Sequence, residues 1–213
     1  DVSNNKLNGI THEFLFSWPH LSFYFDGNLF DNTDDLNLST DYSKDGEVMV
    51  LQTATVGKGI DLIFLGDAFI DIDMAKDGLY EQTMKNAMEE LFSIEPYTSL
   101  RNRFNVYSVK VISASNRSKD KCRINGNNMT CYEYVLKVEN LKTFDTTDDL
   151  MISVIYNPTT NLFPNSYCLL SPGNTGFISF TRVDALLHET GGHGIAKLLD
   201  EYFNTSSTLP ESE

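Results

Sequence analysis

The sequence predicts an α/β (α+β) domain built on a mixed sheet with one long helix early and one late. Three observations carry that expectation. IDLIFLGDAF (60–69) and DDLMISVIYN (148–157) are nearly continuous apolar runs. Strands covered on both faces lose their alternation, so such runs read as buried central strands. Between and after them, LYEQTMKNAMEELFS and VDALLHETGGHGIAKLLDEY carry apolar residues at helical spacing. Strands interleaved with helices place the chain among α/β and α+β architectures.

The elements follow in order. Residues 1–54 alternate short apolar runs with polar turns: FLFSW and LSFYF read as strands, DGN and DNTDD as turns, and EVMVLQTATV as a further strand. This is a β-rich N-terminal segment, part of a small β module, with VGKG (56–59) as its boundary and 55–213 as the main domain. In 79–93, Tyr80, Met84, Ala87, Met88, Leu91 and Phe92 share one face, and the methionines belong to the core. Pro96 follows that helix. RFNVYSVKVIS alternates as a strand, CYEYVLKV reads as another, and GFISFTR as a shorter one. Cys122 and Cys131 flank RINGNNMT, a Gly/Asn-rich turn in an expected hairpin that a disulfide between them would close. With three cysteines, Cys168 is then left over.

Charge excludes some partners. Sixteen basic against thirty acidic residues give a net charge of −14, which opposes nucleic acid and anionic membrane surfaces. No stretch reaches the roughly 18 apolar residues of a membrane span. DVSNNKLNG lacks the pattern of a signal peptide, so an exported form would carry its signal outside this chain. The acidic surface suits a soluble protein, a secreted one among them, though solubility alone accounts for it more simply.

The chemistry is concentrated in HETGGHGIAKLLDEY (188–202). It opens like the His-Glu-x-x-His helix of zinc peptidases, but His188 and His193 are five apart, not four. At about 100° per residue, a spacing of five offsets two side chains by about 140°. A regular α-helix would therefore not let both imidazoles grip one ion. A π-bulge adds one residue to a turn and aligns i with i+5. Gly191 and Gly192 stand where that widening is required, although two interior glycines cost roughly 1–2 kcal/mol relative to alanine. Alternatively, the two histidines are ordinary helix residues and the motif is a chance match. His12 and His20 have no partner at such spacing and read as structural or surface residues.

The segment resembles the IgA peptidase family of zinc metallo-endopeptidases, in particular Bacteroides-type members with a Gly-Gly-His insertion and a Leu-x-Asp-Glu-Tyr continuation. GIDLIFLGDAF is similar to that family's first core strand with its Leu-Gly-Asp turn, and the order of later elements is similar across residues 55–203. The resemblance implies a zincin-like catalytic domain with an active-site helix. The chain continues only 11 residues past Tyr202, so the subdomain that normally follows is expected to be missing or very short, and the chain to be a fragment.

A catalytic zinc takes three protein ligands. His188 and His193 supply two, and Asp200 is the favoured third, with Glu201 as the alternative. Seven further residues of straight helix would carry Asp200 about 10 Å along the axis, so the chain must turn near Gly194 or by Lys197. Acidic residues at a helix C-terminus oppose the helix dipole, a hint that they have another task. Glu189 is the expected general base, acting on the attacking water and then on the leaving amine. Tyr202 is a possible donor, though packing explains it as well, and Asp67 reads as a strand-end turn residue. The expected activity is zinc-dependent hydrolysis of a protein or peptide substrate. The competing readings are a non-catalytic cell-surface binding or adhesion protein that kept the fold without the metal, and a purely structural α/β domain.

Overall fold

Residues 37–116, 124–125, 128–129, 132–138, 150–159, 166–169, 175–178 and 183–199 are described by the structure, a computed structural model. The chain divides into two units, 1–38 and 39–213, and the description below concerns the second. FLFSW, LSFYF, His12 and His20 lie outside the described residues, as do Cys122, Cys131, Asp200, Glu201 and Tyr202.

The apolar run after VGKG forms β2 (Ile60–Asp67), preceded by β1 (Val48–Gln52). A 3-10 turn at Asp71–Met74 leads to helix α1 (Leu79–Leu91), then to the short α2 (Tyr97–Leu100) and to β3 (Phe104–Val109). β4 (Ile124–Asn125) and β5 (Asn128–Met129) pair antiparallel. Then come α3 (Tyr132–Val135), β6 (Leu150–Tyr156), β7 (Tyr167–Leu169), β8 (Thr175–Ile178) and α4 (Val183–Leu186). Among the described residues one six-stranded sheet has the order β1-β3-β2-β6-β8-β7. β3, β2, β6 and β8 run parallel, while the edge strands β1 and β7 are antiparallel to their neighbours. The mixed α/β sheet is as expected.

The centre of the sheet is covered on both faces, which explains the unbroken apolar runs. Leu62, Phe64, Phe104, Val106, Met151 and Ile155 face one layer with the buried side of α1 and with Ala185 and Leu186 of α4. Ile63, Leu65, Ile152 and Val154 face the opposite layer with Tyr134, Val135 and Val138. Tyr80, Met84, Ala87, Met88, Leu91 and Phe92 are all buried, as their spacing requires. Full burial of such side chains is worth about 1.5–3 kcal/mol each.

Two readings are corrected. β1, expected in an N-terminal β segment ending at residue 54, is the edge strand beside β3, and the second unit begins at Ser39. CYEYVLKV, expected as a strand, contains the helical turn α3. Its buried residues are Tyr134, Val135 and Val138, while Glu133, Leu136 and Lys137 are exposed. That is helical spacing, and the alternation of tyrosines at 132 and 134 imitated a strand.

Asp67 is the strand-end residue expected. It is fully buried, and its Oδ1 accepts from the Ala68 amide at 2.9 Å and the Ser113 hydroxyl at 3.1 Å. Nearby, the buried Lys110 ammonium sits 3.3 Å from Glu81 and 2.9 Å from Glu47. Burial by itself raises the Glu81 carboxyl. The Asp77 amide and the Lys110 ammonium outweigh it and hold the group below its ordinary value. Lys110→Met should lower unfolding free energy by about 1–3 kcal/mol at neutral pH, because it removes the nearer, buried cation of Glu81 and leaves only the half-exposed Lys85, 3.8 Å away. A depressed carboxyl contributes stability above its unfolded pKa and loses it as pH falls through the folded value. The wild-type advantage in urea midpoint should therefore shrink as the buffer is taken below pH 4.

Candidate metal centre

Helix α4 does not continue as an α-helix. From Leu187 to Ile195 the backbone is a π-helix of nine residues, LHETGGHGI. A single-turn widening was expected at Gly191-Gly192, and the widened stretch is longer. Its last bond runs from the Ala196 amide to the Gly191 carbonyl at 2.9 Å, a span of five residues.

The consequence is the alignment that five-residue spacing needs. His188 Nε2 and His193 Nε2 stand 3.1 Å apart, with ring centroids 4.6 Å apart and planes at 79°. Two nitrogens each about 2.0–2.1 Å from a tetrahedral ion are about 3.3–3.4 Å from one another. At 3.1 Å the pair is within hydrogen-bonding distance and a few tenths of an ångström closer than two ligands on one zinc. His188 is exposed and His193 half-buried, so the site opens outward, while Glu189 is buried between them in sequence. One ligand atom from each of His188, Glu189 and His193 falls within 4.8 Å of the others.

The tautomer of His193 is set by the backbone. Its Nδ1 lies 2.6 Å from the Leu198 carbonyl oxygen. A carbonyl only accepts, so Nδ1 carries the hydrogen and Nε2 presents its lone pair towards His188 Nε2. This contact exists because the chain reverses. The helix ends at Ile195, Lys197 takes a left-handed backbone with φ of +57°, and the Leu198 amide returns to the Gly192 carbonyl at 3.0 Å. The turn expected near Gly194 or Lys197 falls at Lys197. The expectation that the helix runs on through 202 is thereby corrected. With it goes the dipole argument, since Asp200 and Glu201 do not end a helix that stops at Ile195. Both acids, and Tyr202, lie outside the described residues.

Of the two paired glycines, a neighbouring element approaches Gly191 closely and Gly192 not. A Cβ on Gly191 would stand 3.0 Å from the Tyr97 ring, and one on Gly194 would stand 2.3 Å from Met151 Sδ. A Cβ on Gly192 would meet only the Leu187 carbonyl oxygen at 3.7 Å, ordinary van der Waals contact. Close approach of α2 and β6 thus makes a methyl group tight at 191, where the Tyr97 ring would have to give, and admits one at 194 only if the Met151 side chain moves, whereas 192 has room for it.

Three further groups support the site. The Tyr97 hydroxyl donates to the Gly191 carbonyl at 2.7 Å, and the buried hydroxyls of Ser153 and Thr190 are hydrogen-bonded at 2.8 Å. β7 and β8 pack against the π-helix, and β7 brings the half-buried, free Cys168 towards Glu189. Burial first, and the Glu189 charge second, push the Cys168 thiol up to about 11, so it is a thiol and not a reactive thiolate at neutral pH. None of these contacts was readable beforehand. Tyr97 is 94 residues from Gly191 in sequence, and the Leu198 contribution comes from a main-chain atom, which any residue type supplies.

No protein-family model matches this chain, and none of the curated proteins matches its sequence.

Proposed function

We propose that the chain is a zinc-dependent endopeptidase with a zincin-like catalytic domain, related to the IgA peptidase family that its 188–202 segment resembles. The observation that carries this reading is the π-helix pairing His188 and His193 through Nε2 atoms 3.1 Å apart. A chance His-Glu-x-x-x-His match on a regular helix would have set those rings about 140° apart. Asp200 is the proposed third ligand. The reversal at Lys197 supports it, because at Leu198, two residues earlier, the main chain already touches His193. Glu201 is the alternative.

Zinc held there would supply a Lewis acid and would lower the pKa of a bound water to about 7. The chain's own residues do the rest. The Leu198 carbonyl keeps the proton on His193 Nδ1, so Nε2 is available as a ligand. Glu189, in the same cluster as the two histidines, accepts a proton from the attacking water and returns it to the leaving amine. The substrate class is a protein or peptide, and we place the protein outside the cell or on its surface.

Protein purified without chelator should hold about one equivalent of zinc, and it should cleave a generic protein substrate in a reaction that a chelator stops. If neither metal nor zinc-dependent cleavage is found, the chain is a binding domain with this fold and the peptidase reading is withdrawn.

A further inference from the structure

We propose that Tyr97 is a positioning residue for the metal site: by holding the Gly191 carbonyl, its hydroxyl locks the π register that brings His193 onto His188. The proposal rests on the metal reading above.

The Gly191 carbonyl oxygen accepts twice, from the Ala196 amide at 2.9 Å and from the Tyr97 hydroxyl at 2.7 Å. The first bond exists only in the widened helix. In an α-helix that carbonyl would bond to residue 195. It needs no second donor to be satisfied within the helix, so the tyrosine does more than rescue a buried polar atom.

The placement of the contact decides what it does. Residues 190 and 191 lie between the two histidines, and both are tied to other elements. Thr190 bonds to Ser153 on β6, and Gly191 bonds to Tyr97 on α2. A helix that recovered four-residue bonding would rotate one side of this stretch against the other by about 100°. His193 would then leave His188, or Gly191 would leave Tyr97. The histidine pairing and the Tyr97 bond therefore belong to the same register and stabilise each other.

Tyr97 is well placed to resist that rotation. It is 7% exposed, and its ring packs edge-on to Phe104 with centroids 6.4 Å apart. The ring also lies directly on the backbone of Gly191, where even a methyl group would stand 3.0 Å away. Burial raises the phenol above its ordinary value, so it stays a donor throughout the neutral range.

The test compares wild type, Tyr97→Phe and Gly191→Ala, each titrated with Zn(II) and with Co(II) alone. Tyr97→Phe keeps the ring and removes the hydroxyl. It should weaken Zn(II) binding about tenfold, the lower end for groups supporting metal ligands, and alter the visible absorption of the Co(II) form. Gly191→Ala introduces a better helix former, yet it should also weaken the metal and shift the Co(II) bands, because the methyl group displaces the phenol. Urea unfolding of the metal-free proteins gives the purely structural part of each change. If wild type binds metal and Tyr97→Phe binds it equally well with the same Co(II) spectrum, the positioning role is overturned. Should Tyr97→Phe fail to fold, unchanged affinity and spectrum in Gly191→Ala overturn it instead. If wild type itself takes up no metal, the metal reading fails, and the role of Tyr97 fails with it.

Discussion

His193→Ala should abolish both zinc binding and peptidase activity, the largest effect expected of any single substitution in this chain. The change removes one of the two imidazoles whose Nε2 atoms stand 3.1 Å apart. It also frees the Leu198 carbonyl, which holds the turn at Lys197 against the helix. Binding to the native state alone stabilises by about 4 kcal/mol when free zinc exceeds its dissociation constant a thousandfold. For a chain of this size that corresponds to a rise in Tm of roughly 8–16 °C. Wild type should show that rise on addition of zinc and the variant should not. Metal analysis and paired thermal scans check it. Retention of a full equivalent of zinc by His193→Ala would remove His193 from the ligand set and leave the π-helix without the role proposed for it.

Glu189→Gln should leave zinc in place and eliminate turnover. Gln has the size and shape of Glu but cannot accept a proton, and loss of a general base typically costs 10²- to 10⁴-fold. Glu189 is buried and within the same 4.8 Å cluster as the histidines, so on the metal reading it serves as base or as ligand. Metal content and cleavage rate, measured on the same preparation, separate them. Loss of zinc would make Glu189 a ligand and displace Asp200 from that role. Full activity with zinc bound would place the base elsewhere.

The sequence alone determined what is local and periodic. β2, β3, β6 and α1 were legible because burial on a regular element repeats with the period of that element, and the runs at 60–69 and 79–93 are long enough to show it. The pairing of His188 with His193 was legible as a demand: a spacing of five has chemical sense only on a widened turn. α3 was misread because four residues are too few to separate a period of two from one of 3.6. Tertiary structure decided the rest. Whether Gly191 bonds to residue 195 or 196 is a small local difference, settled by the Tyr97 hydroxyl and ring from α2. Why Gly194 is a glycine depends on Met151 of β6. The tautomer of His193 depends on a main-chain oxygen brought back by Lys197, a residue whose identity does not announce a left-handed backbone. The physical reason is common to all three. Side-chain periodicity reports which way an element faces, whereas helix register and ligand orientation depend on contacts with groups distant in the chain or belonging to the backbone itself.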